Sequence, residues 1–428
     1  MNNNFPHSWQ QIALESCMEA IIDYRGKTPQ KTSFGIPLIT AKIVKGGRIN
    51  DIEEYIAVKD YDSWMRRGIP KLGDIVMTTE APLGEVAQLD NAKVALAQRL
   101  ITLRGDSKLL DNNYLKFLMQ SAFVQNQLHA RATGTTVLGI KQSELRKIYL
   151  IVPPLNEQKA IAQILSSLDD KIELNQQMNE TLEAMARAMF KSWFVNFDPV
   201  RAKMEGRQPA GMDAATADLF PDEFEESSLG LIPKGWRVGT IETECKLVMG
   251  QSPKSEFYNT TGDGLPFHQG VTNFGARFPT HKNFCTVCER IANKGDILFS
   301  VRAPVGRINI ADKQLIIGRG LAAIRHNQDY QSFLLYHLAH TFKEEDSIGT
   351  GTIFASVTRK DLQEVKLIIP TDLIIKFFDA QIQVLDNRIS HNGQESRTLT
   401  AIRDSLLPKL ISGQIRVNEA EKTIEKVA

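Results

Sequence analysis

Apolar residues recur at steps of three and four along residues 153–197. Ile161, Leu165, Leu168, Ile172, Met178, Leu182, Met185, Met189 and Trp193 mark the stripe, the spacing that places side chains on one face of a helix. Shifted by 217 positions, the stripe returns as Phe378, Ile382, Leu385, Ile389, Leu399, Ile402, Leu406 and Leu410. The polar interruption returns with it, since Asn175 becomes Asn392. A helix of roughly 40 residues is ~60 Å long, too long for the core of a small domain. The two stripes are therefore expected to pack on each other as a coiled coil, with Asn175 and Asn392 as seam residues that fix register at some loss of stability.

The rest of the chain alternates short apolar runs with turn signals, and this pattern is also made twice. In residues 1–152, Gly26-Lys27-Thr28-Pro29 is a turn, Gly35 to Ile39 a strand entered through a turn, and Gly73 to Met77 a turn into a buried strand. Ala81-Pro82-Leu83-Gly84 turns the chain into a returning strand at Glu85-Val86-Ala87, and Leu100 to Leu103 is another strand. Tyr114 to Leu128 has helical periodicity, Thr133 to Thr136 is a polar loop, and Ile148 to Val152 is a last strand before Pro153-Pro154. Residues 234–370 repeat the order. Trp236 stands for Trp9, Gly250-Gln251-Ser252-Pro253 for Gly26 to Pro29, and Gly264 to Pro266 for Gly35 to Pro37. Gly295-Asp296-Ile297 stands for Gly73 to Ile75, Ala303 to Gly306 for Ala81 to Gly84, and Thr350-Gly351-Thr352 for Thr133 to Thr135. Identities fall at turns and strands, while the loops differ: Thr40 to Lys45 has become His268 to Asn273.

The pattern predicts an α+β chain with a pseudo-twofold internal repeat, in which two homologous mixed α/β units alternate with two long helices. The expected divisions are a globular unit at 1–152, a helix at 153–197, an acidic linker or partner-docking segment at 198–233, a second globular unit at 234–370, a second helix at 371–413 and a polar tail at 414–428.

Composition adds little except in its distribution. The 428 residues are 42% hydrophobic and 24% charged, an ordinary globular balance, with net charge +1. Residues 1–153 and 234–370 each carry +4, residues 154–233 carry −7, and residues 371–428 are neutral. Two mildly basic blocks joined by acidic or neutral segments suit two DNA-facing domains. No apolar run approaches a membrane span. Met1-Asn2-Asn3-Asn4 starts no signal peptide, and four cysteines point to a reducing cytoplasm. Cys285 and Cys288 form a CxxC without a second ligand pair, so no metal site is expected.

No catalytic motif emerges. The chain has no Walker loop, no GxGxxG opening a helix and no HExxH. It has no nucleophile elbow, and Asn196-Phe197-Asp198-Pro199-Val200 lacks the Pro-Pro-aromatic run of an amino-methyltransferase. The pattern favours a binding protein.

Several features together resemble the specificity subunit of type I restriction–modification enzymes. They are the double alternation itself, Pro153-Pro154-Leu155-Asn156-Glu157-Gln158-Lys159 at the first helix start, Phe190-Lys191-Ser192-Trp193-Phe194 near its end, and Gly-Asp-Ile followed by Pro-x-Gly in each globular unit. The second helix departs from the pattern at Pro370-Thr371-Asp372-Leu373. The resemblance implies two target recognition domains separated by an antiparallel coiled coil, each reading one part of a split, asymmetric double-stranded DNA sequence. It implies two methyltransferase subunits docked on the helices, bringing S-adenosylmethionine to adenine, and motor–nuclease subunits that use ATP and Mg²⁺. This chain would itself hold no cofactor and no metal, perform no catalysis and contact no membrane.

Base reading needs Arg, Lys, Asn, Gln, Ser or Thr on loops that enter the major groove, and other cations hold phosphates. The candidates are Lys27, Lys42, Lys45, Thr135, Thr136 and Lys141 in the first unit. In the second they are Lys254, Gln269, Asn273, Arg302, Thr350, Thr352 and Arg359. The coiled-coil and partner candidates are Leu165, Leu168, Ile172, Asn175, Leu182, Met189, Trp193, Ile382, Leu385, Ile389, Asn392, Leu399, Ile402 and Leu406. Gly73, Asp74, Gly295 and Asp296 read as structural turns. A self-contained DNA methyltransferase or nuclease, and a coiled-coil scaffold that does not read DNA, stand as alternatives.

Overall fold

A computed structural model describes residues 5–24, 28–91, 93–342 and 356–425. Its contacts divide into two units, Met1–Gln176 with Gly393–Ala428, and Gln177–Asn392. The long helices, Leu155–Phe194 and Asp372–Ile411, are 40 residues each. Each unit therefore takes half of each helix.

In the first unit, Met18–Asp23, Leu100–Gly105, Ile75–Thr79 and Leu83–Gln88 form an antiparallel sheet in that order. The central strand Ile75–Thr79 is buried throughout, as a strand covered on both faces requires. A second sheet pairs Ala95–Leu96 in parallel with Ile36–Ile39 and continues antiparallel through Tyr55–Ile56 to Lys31–Thr32. A third pairing, Gln10–Ala13 with Tyr149–Val152, brings the ends of the globular part together. The main core gathers Ile75, Met77, Tyr114, Phe117 and Leu150 with Ile161, Leu165 and Leu168 of one long helix and Leu406 and Leu410 of the other. Ion pairs between residues 169 and 403 and between 171 and 395 show that the helix halves run antiparallel.

The second unit repeats this plan. Cys245–Met249, Leu321–His326, Ile297–Ser300 and Ile308–Ile310 form the antiparallel sheet. Leu265–His268 pairs in parallel with Leu315–Ile317, and Arg237–Thr240 pairs with Lys366–Ile369. Its core is more aromatic: Phe190, Trp193 and Phe194 meet Phe333 and Phe378. The helix halves are again antiparallel, with residue 179 bonded to residue 392 and Trp193 against Phe377 and Phe378.

The quoted helix-start motif has a structural task. Gln158 is fully buried. It accepts the Asp111 N–H (2.9 Å) and donates to the carbonyls of Leu109 (2.9 Å) and Pro153 (2.7 Å). Glu157 accepts the Trp9 indole N–H at 2.9 Å and pairs with Arg416. At the matching positions of the second helix stand Ile374 and Ile375, both buried. Trp236, the counterpart of Trp9, accordingly has no partner for its buried Nε1 among the described residues.

Four expectations change. Tyr114 to Leu128 is two helices, Asn112–Gln120 and Ala122–Ala130. Buried Ser121 between them has extended backbone, and its hydroxyl accepts the Val124 N–H. Met185 is exposed and Ala186 is buried instead, because the seam keeps a heptad step that a scan for large apolar residues misses. Residues 198–233 are not a free linker: helices Asp198–Met204 and Ala214–Asp218 and a Phe224–Ser227/Gly230–Pro233 hairpin form there. Val200, Phe220 and Ile232 join the second core. The polar tail likewise contains a helix, Val417–Glu425, with Ala420 buried in the first core.

Most seam candidates sit as the stripe requires. Leu165, Leu168, Asn175, Trp193, Ile382, Ile389, Asn392 and Leu406 are buried, and Ile172, Leu182, Met189, Leu385, Leu399 and Ile402 are half-buried. Asn175 donates to Glu395 at 2.8 Å and Asn392 to Asn179 at 2.9 Å. The Oδ1 of each is buried without a partner among the described residues, the expense expected of a polar seam residue.

Candidate nucleic-acid interface

The repeated turns form a frame on which variable loops stand. Asp74, 1% exposed, accepts two bonds from the Arg104 guanidinium (2.8 and 2.7 Å) and one from the Lys71 N–H (2.8 Å). Its counterpart Asp296 pairs with Arg325 and accepts the Asn293 N–H at 2.7 Å. The aspartates hold the frame and face no open surface. The next turns, Ala81-Pro82 and Ala303-Pro304, both contain a cis peptide bond. Thr78 and Ser300 are also equivalent: each hydroxyl accepts a backbone N–H from the returning strand, Glu85 at 2.9 Å and Arg307 at 2.8 Å.

Around this frame in the first unit lies a cleft of about 560 Å³, lined by Thr28, Lys31, Thr40, Lys42, Lys45 and Arg99 among others. Lys42 and Lys45, chosen from the sequence, come together here and are exposed. Lys31 is paired with Glu54 at 2.7 Å and Arg99 with Glu80 at 2.9 Å. No carboxylate partner is found for Lys42 or Lys45 among the described residues. Two unpaired ammonium groups in a groove are available to phosphates. Thr135 and Thr136 are exposed on a separate loop, closed by reciprocal bonds between Thr133 and Gly139 (2.8 and 3.0 Å) and bridged to Glu80. Lys141 is exposed just before the short helix Gln142–Leu145. Lys27 lies outside the described residues.

In the second unit the same places carry different chemistry. Gln269 is exposed and accepts the Ser252 hydroxyl at 2.8 Å. Ser252 in turn accepts the Arg319 backbone N–H at 3.2 Å. Asn273 is half-buried in a short 3₁₀ turn, its carbonyl accepting the Thr280 N–H at 2.8 Å. Lys254 is exposed, 3.9 Å from Glu256. Arg302 is exposed and its backbone bridges Ser356, and Arg359 is exposed at the first position of helix Arg359–Gln363. Thr350 and Thr352 lie outside the described residues. Behind Gln269, His268 bonds His281 (3.0 Å), which bonds Asp312 (2.9 Å). Burial, with His281 alongside, pushes His268 down to about 4.

The backbone also corrects one register. The Ile39 carbonyl accepts from Ala97 and the His268 carbonyl accepts from Gly318, so Thr40 corresponds to Gln269 and not to His268. The same pairing equates Gln98 with Arg319, two residues that sequence reasoning missed. Gln98 donates to Thr28 at 3.1 Å, and Thr28 and Ser252 are the hydroxyl residues of the repeated Gly-x-Ser/Thr-Pro turn. That repetition was the available signal for them. Gln98 and Arg319 have no local signature, because only long-range strand pairing brings them to the loops.

Comparison with known proteins agrees with this arrangement. A family model described as type I restriction modification DNA specificity domain matches residues 7–184 and again 233–390. A Methanocaldococcus jannaschii protein, assigned as the specificity subunit of type I restriction enzyme MjaX, is 29% identical over 429 residues, covering 96% of this chain and 95% of that one. The type I restriction enzyme HindI specificity subunit of Haemophilus influenzae is 26% identical over 414 residues, covering 84% and 90%. Among solved structures, the type I restriction–modification S subunit from M. genitalium superposes with TM-score 0.60 at 19% identity, over 96% of this chain and 97% of that one, a likeness of fold. With the family model matched twice, across both globular units and into both long helices, the chain belongs to the type I restriction–modification DNA specificity family.

Proposed function

We propose that this chain is the DNA-recognition subunit of a type I restriction–modification complex and reads a bipartite, asymmetric target, one globular unit to each half-site. The observation that carries the reading is one frame bearing two loop chemistries. Lys42 and Lys45 occupy the first unit's loop, and Gln269 and Asn273 occupy the equivalent loop of the second. Equal frames give both units the same approach to duplex DNA, and unequal loops make them prefer different bases. Each long helix begins in one unit and ends in the other, so helix length is the natural determinant of the unread spacer.

On this reading the chain is non-catalytic and works in the cytoplasm. Two methyltransferase subunits dock on its helices and flip adenine from the stack, supplying S-adenosylmethionine. Motor–nuclease subunits supply the ATP and Mg²⁺ chemistry. Co-expression with the cognate methyltransferase subunit, followed by genome-wide mapping of methylated adenine, tests it. The expected result is one split motif with a constant spacer, and no turnover by the purified chain with S-adenosylmethionine or Mg²⁺. Methylation without a split motif, or turnover by the chain alone, would refute it.

A further inference from the structure

The loops that differ most between the two units share one side chain. The hairpin of the first unit pairs Val44 with Ile49, and the matching turn of the second pairs Phe274 with Pro279. Each turn carries one arginine, displaced by one residue in that register: Arg277 takes the place of Gly47, and Phe278 that of Arg48. Neither residue lies in a strand of the main sheets, although the Arg277 carbonyl accepts the edge-strand Ile310 N–H at 2.9 Å.

In the first unit, Val44–Lys45 and Arg48–Ile49 form a hairpin. Its tip is Gly46 (φ 60) and Gly47 (φ 85), the two left-handed residues of a tight hairpin turn. Glu85 pins the tip by accepting the Gly46 N–H at 2.8 Å. Lys45 and Arg48 are direct cross-strand partners. Lys45 lines the cleft, whereas Arg48 reaches a long helix, donating to the Asp169 carbonyl at 3.0 Å and pairing with Glu173. The Asp169 carboxylate is itself held by Arg403 (2.8 Å) and Lys116 (3.2 Å).

The second unit makes the same anchor with other parts. Arg277 is 8% exposed, on a turn closed by the bond from the Gly275 N–H to the Phe278 carbonyl (3.1 Å). It pairs with Asp386 and with Glu183 (3.3 Å), and it donates to the Tyr336 hydroxyl at 3.2 Å. Asp386 stands 217 positions after Asp169, the offset of the helix repeat. Ser332 and Tyr336 donate to Asp386 as well. A guanidinium desolvated between two carboxylates and a phenol is held in one orientation, because its planar fork fits few geometries.

We propose that Arg48 and Arg277 are positioning residues for DNA reading, each indexing its reading hairpin to a long helix and so fixing where along the duplex that hairpin meets the bases. The proposal rests on the DNA-recognition reading above. Arg48 and Lys45 are cross-strand partners on one hairpin, so a shift of the anchor displaces Lys45, and with it the place where the hairpin grips the duplex. Without the anchor, the hairpin samples several positions along the helix, and bases at neighbouring positions are read almost equally well.

The test uses the full chain co-expressed with its methyltransferase subunits, as wild type, Arg48→Met and Arg277→Met. Arg277→Met leaves two half-buried carboxylates without this cation, so Arg277→Met/Glu183→Gln/Asp386→Asn is made as well, removing the charges together. The readout is methylation of the mapped target and of targets whose spacer is one base pair longer or shorter. Wild-type discrimination against a one-position error, ordinarily about ten- to hundredfold, is expected to fall toward unity in each variant. Only the half read by the altered unit should become degenerate. Hydrogen exchange at residues 43–49 should rise in Arg48→Met, while exchange in Ile75–Thr79 stays at the wild-type rate. Unchanged spacer selectivity in a folded Arg48→Met complex would overturn the proposal and leave the recognition reading standing. A wild-type complex with no split motif would overturn both.

Discussion

Individual side chains divide into those that hold the frame and those that stand free, and the two kinds respond differently to substitution. Asp74→Ala removes the buried partner of a largely buried guanidinium and leaves it, among the described residues, only the exposed Glu19 as a carboxylate partner, and stability should drop by about 3 kcal/mol, measured by urea unfolding, with no change in the bases read. Lys42→Ala and Lys45→Ala should leave stability unchanged. Each should lower the slope of log affinity against log salt by about one, the signature of a lost phosphate contact. His337 illustrates a third kind. Its Nε2 accepts the Ile368 N–H at 3.1 Å, and burial holds its pKa down at about 4 against an ordinary 6.5. As pH falls from 6.5 to 4, the unfolded chain takes up a proton that the folded chain refuses. Stability should therefore be complete above 6.5, decline through that window by on the order of 3 kcal/mol, and level off below it. His268 adds in the same direction. Urea titrations at pH 7, 5 and 4 check this, and His337→Asn should flatten the decline. At this scale the frame residues were legible because the chain states them twice. The free residues were not, because a lysine in a groove and a lysine on a plain surface look the same in a sequence.

At the scale of elements, the long helices were the most legible part, since a sustained period of three and four belongs to a helix and to little else. The misreadings are instructive. Ala186 was overlooked in favour of Met185 because close helix approach selects a small residue and a hydrophobicity scan rewards a large one. The break at Ser121 was missed because the apolar period continues across it, while the serine hydroxyl supplies a fresh N-cap. Residues 198–233 read as a linker because acidic residues outnumber the spaced apolar anchors Val200, Phe220 and Ile232. The junction of helix and globular unit is where substitution should be most costly. Gln158→Ala would leave the carbonyls of Leu109 and Pro153 and the N–H of Asp111 unpaired in a buried site. A loss of about 2–4 kcal/mol is expected, read as a lowered urea midpoint.

For the molecule as a whole, the duplication separates two properties that a single domain would mix. On the proposed reading, what is read resides in the loops of each globular unit, and how far apart it is read resides in the helices. Replacing residues 1–150 by the corresponding domain of another family member should change one half of the methylated motif and leave the other half and the spacer intact. Inserting whole turns into both helices should change the spacer alone. Methylome sequencing distinguishes these outcomes directly.

The division of the chain has a further bearing on its birth at the ribosome. The first unit takes Leu406, Leu410 and Ala420 into its core, and it draws on Gly393–Ala428 throughout. The second unit needs nothing beyond Asn392. Translation usually lets the earliest-made domain fold first. Here the earliest-made domain cannot complete its core until residues 393–428 have been made, so the later-made half is expected to mature first.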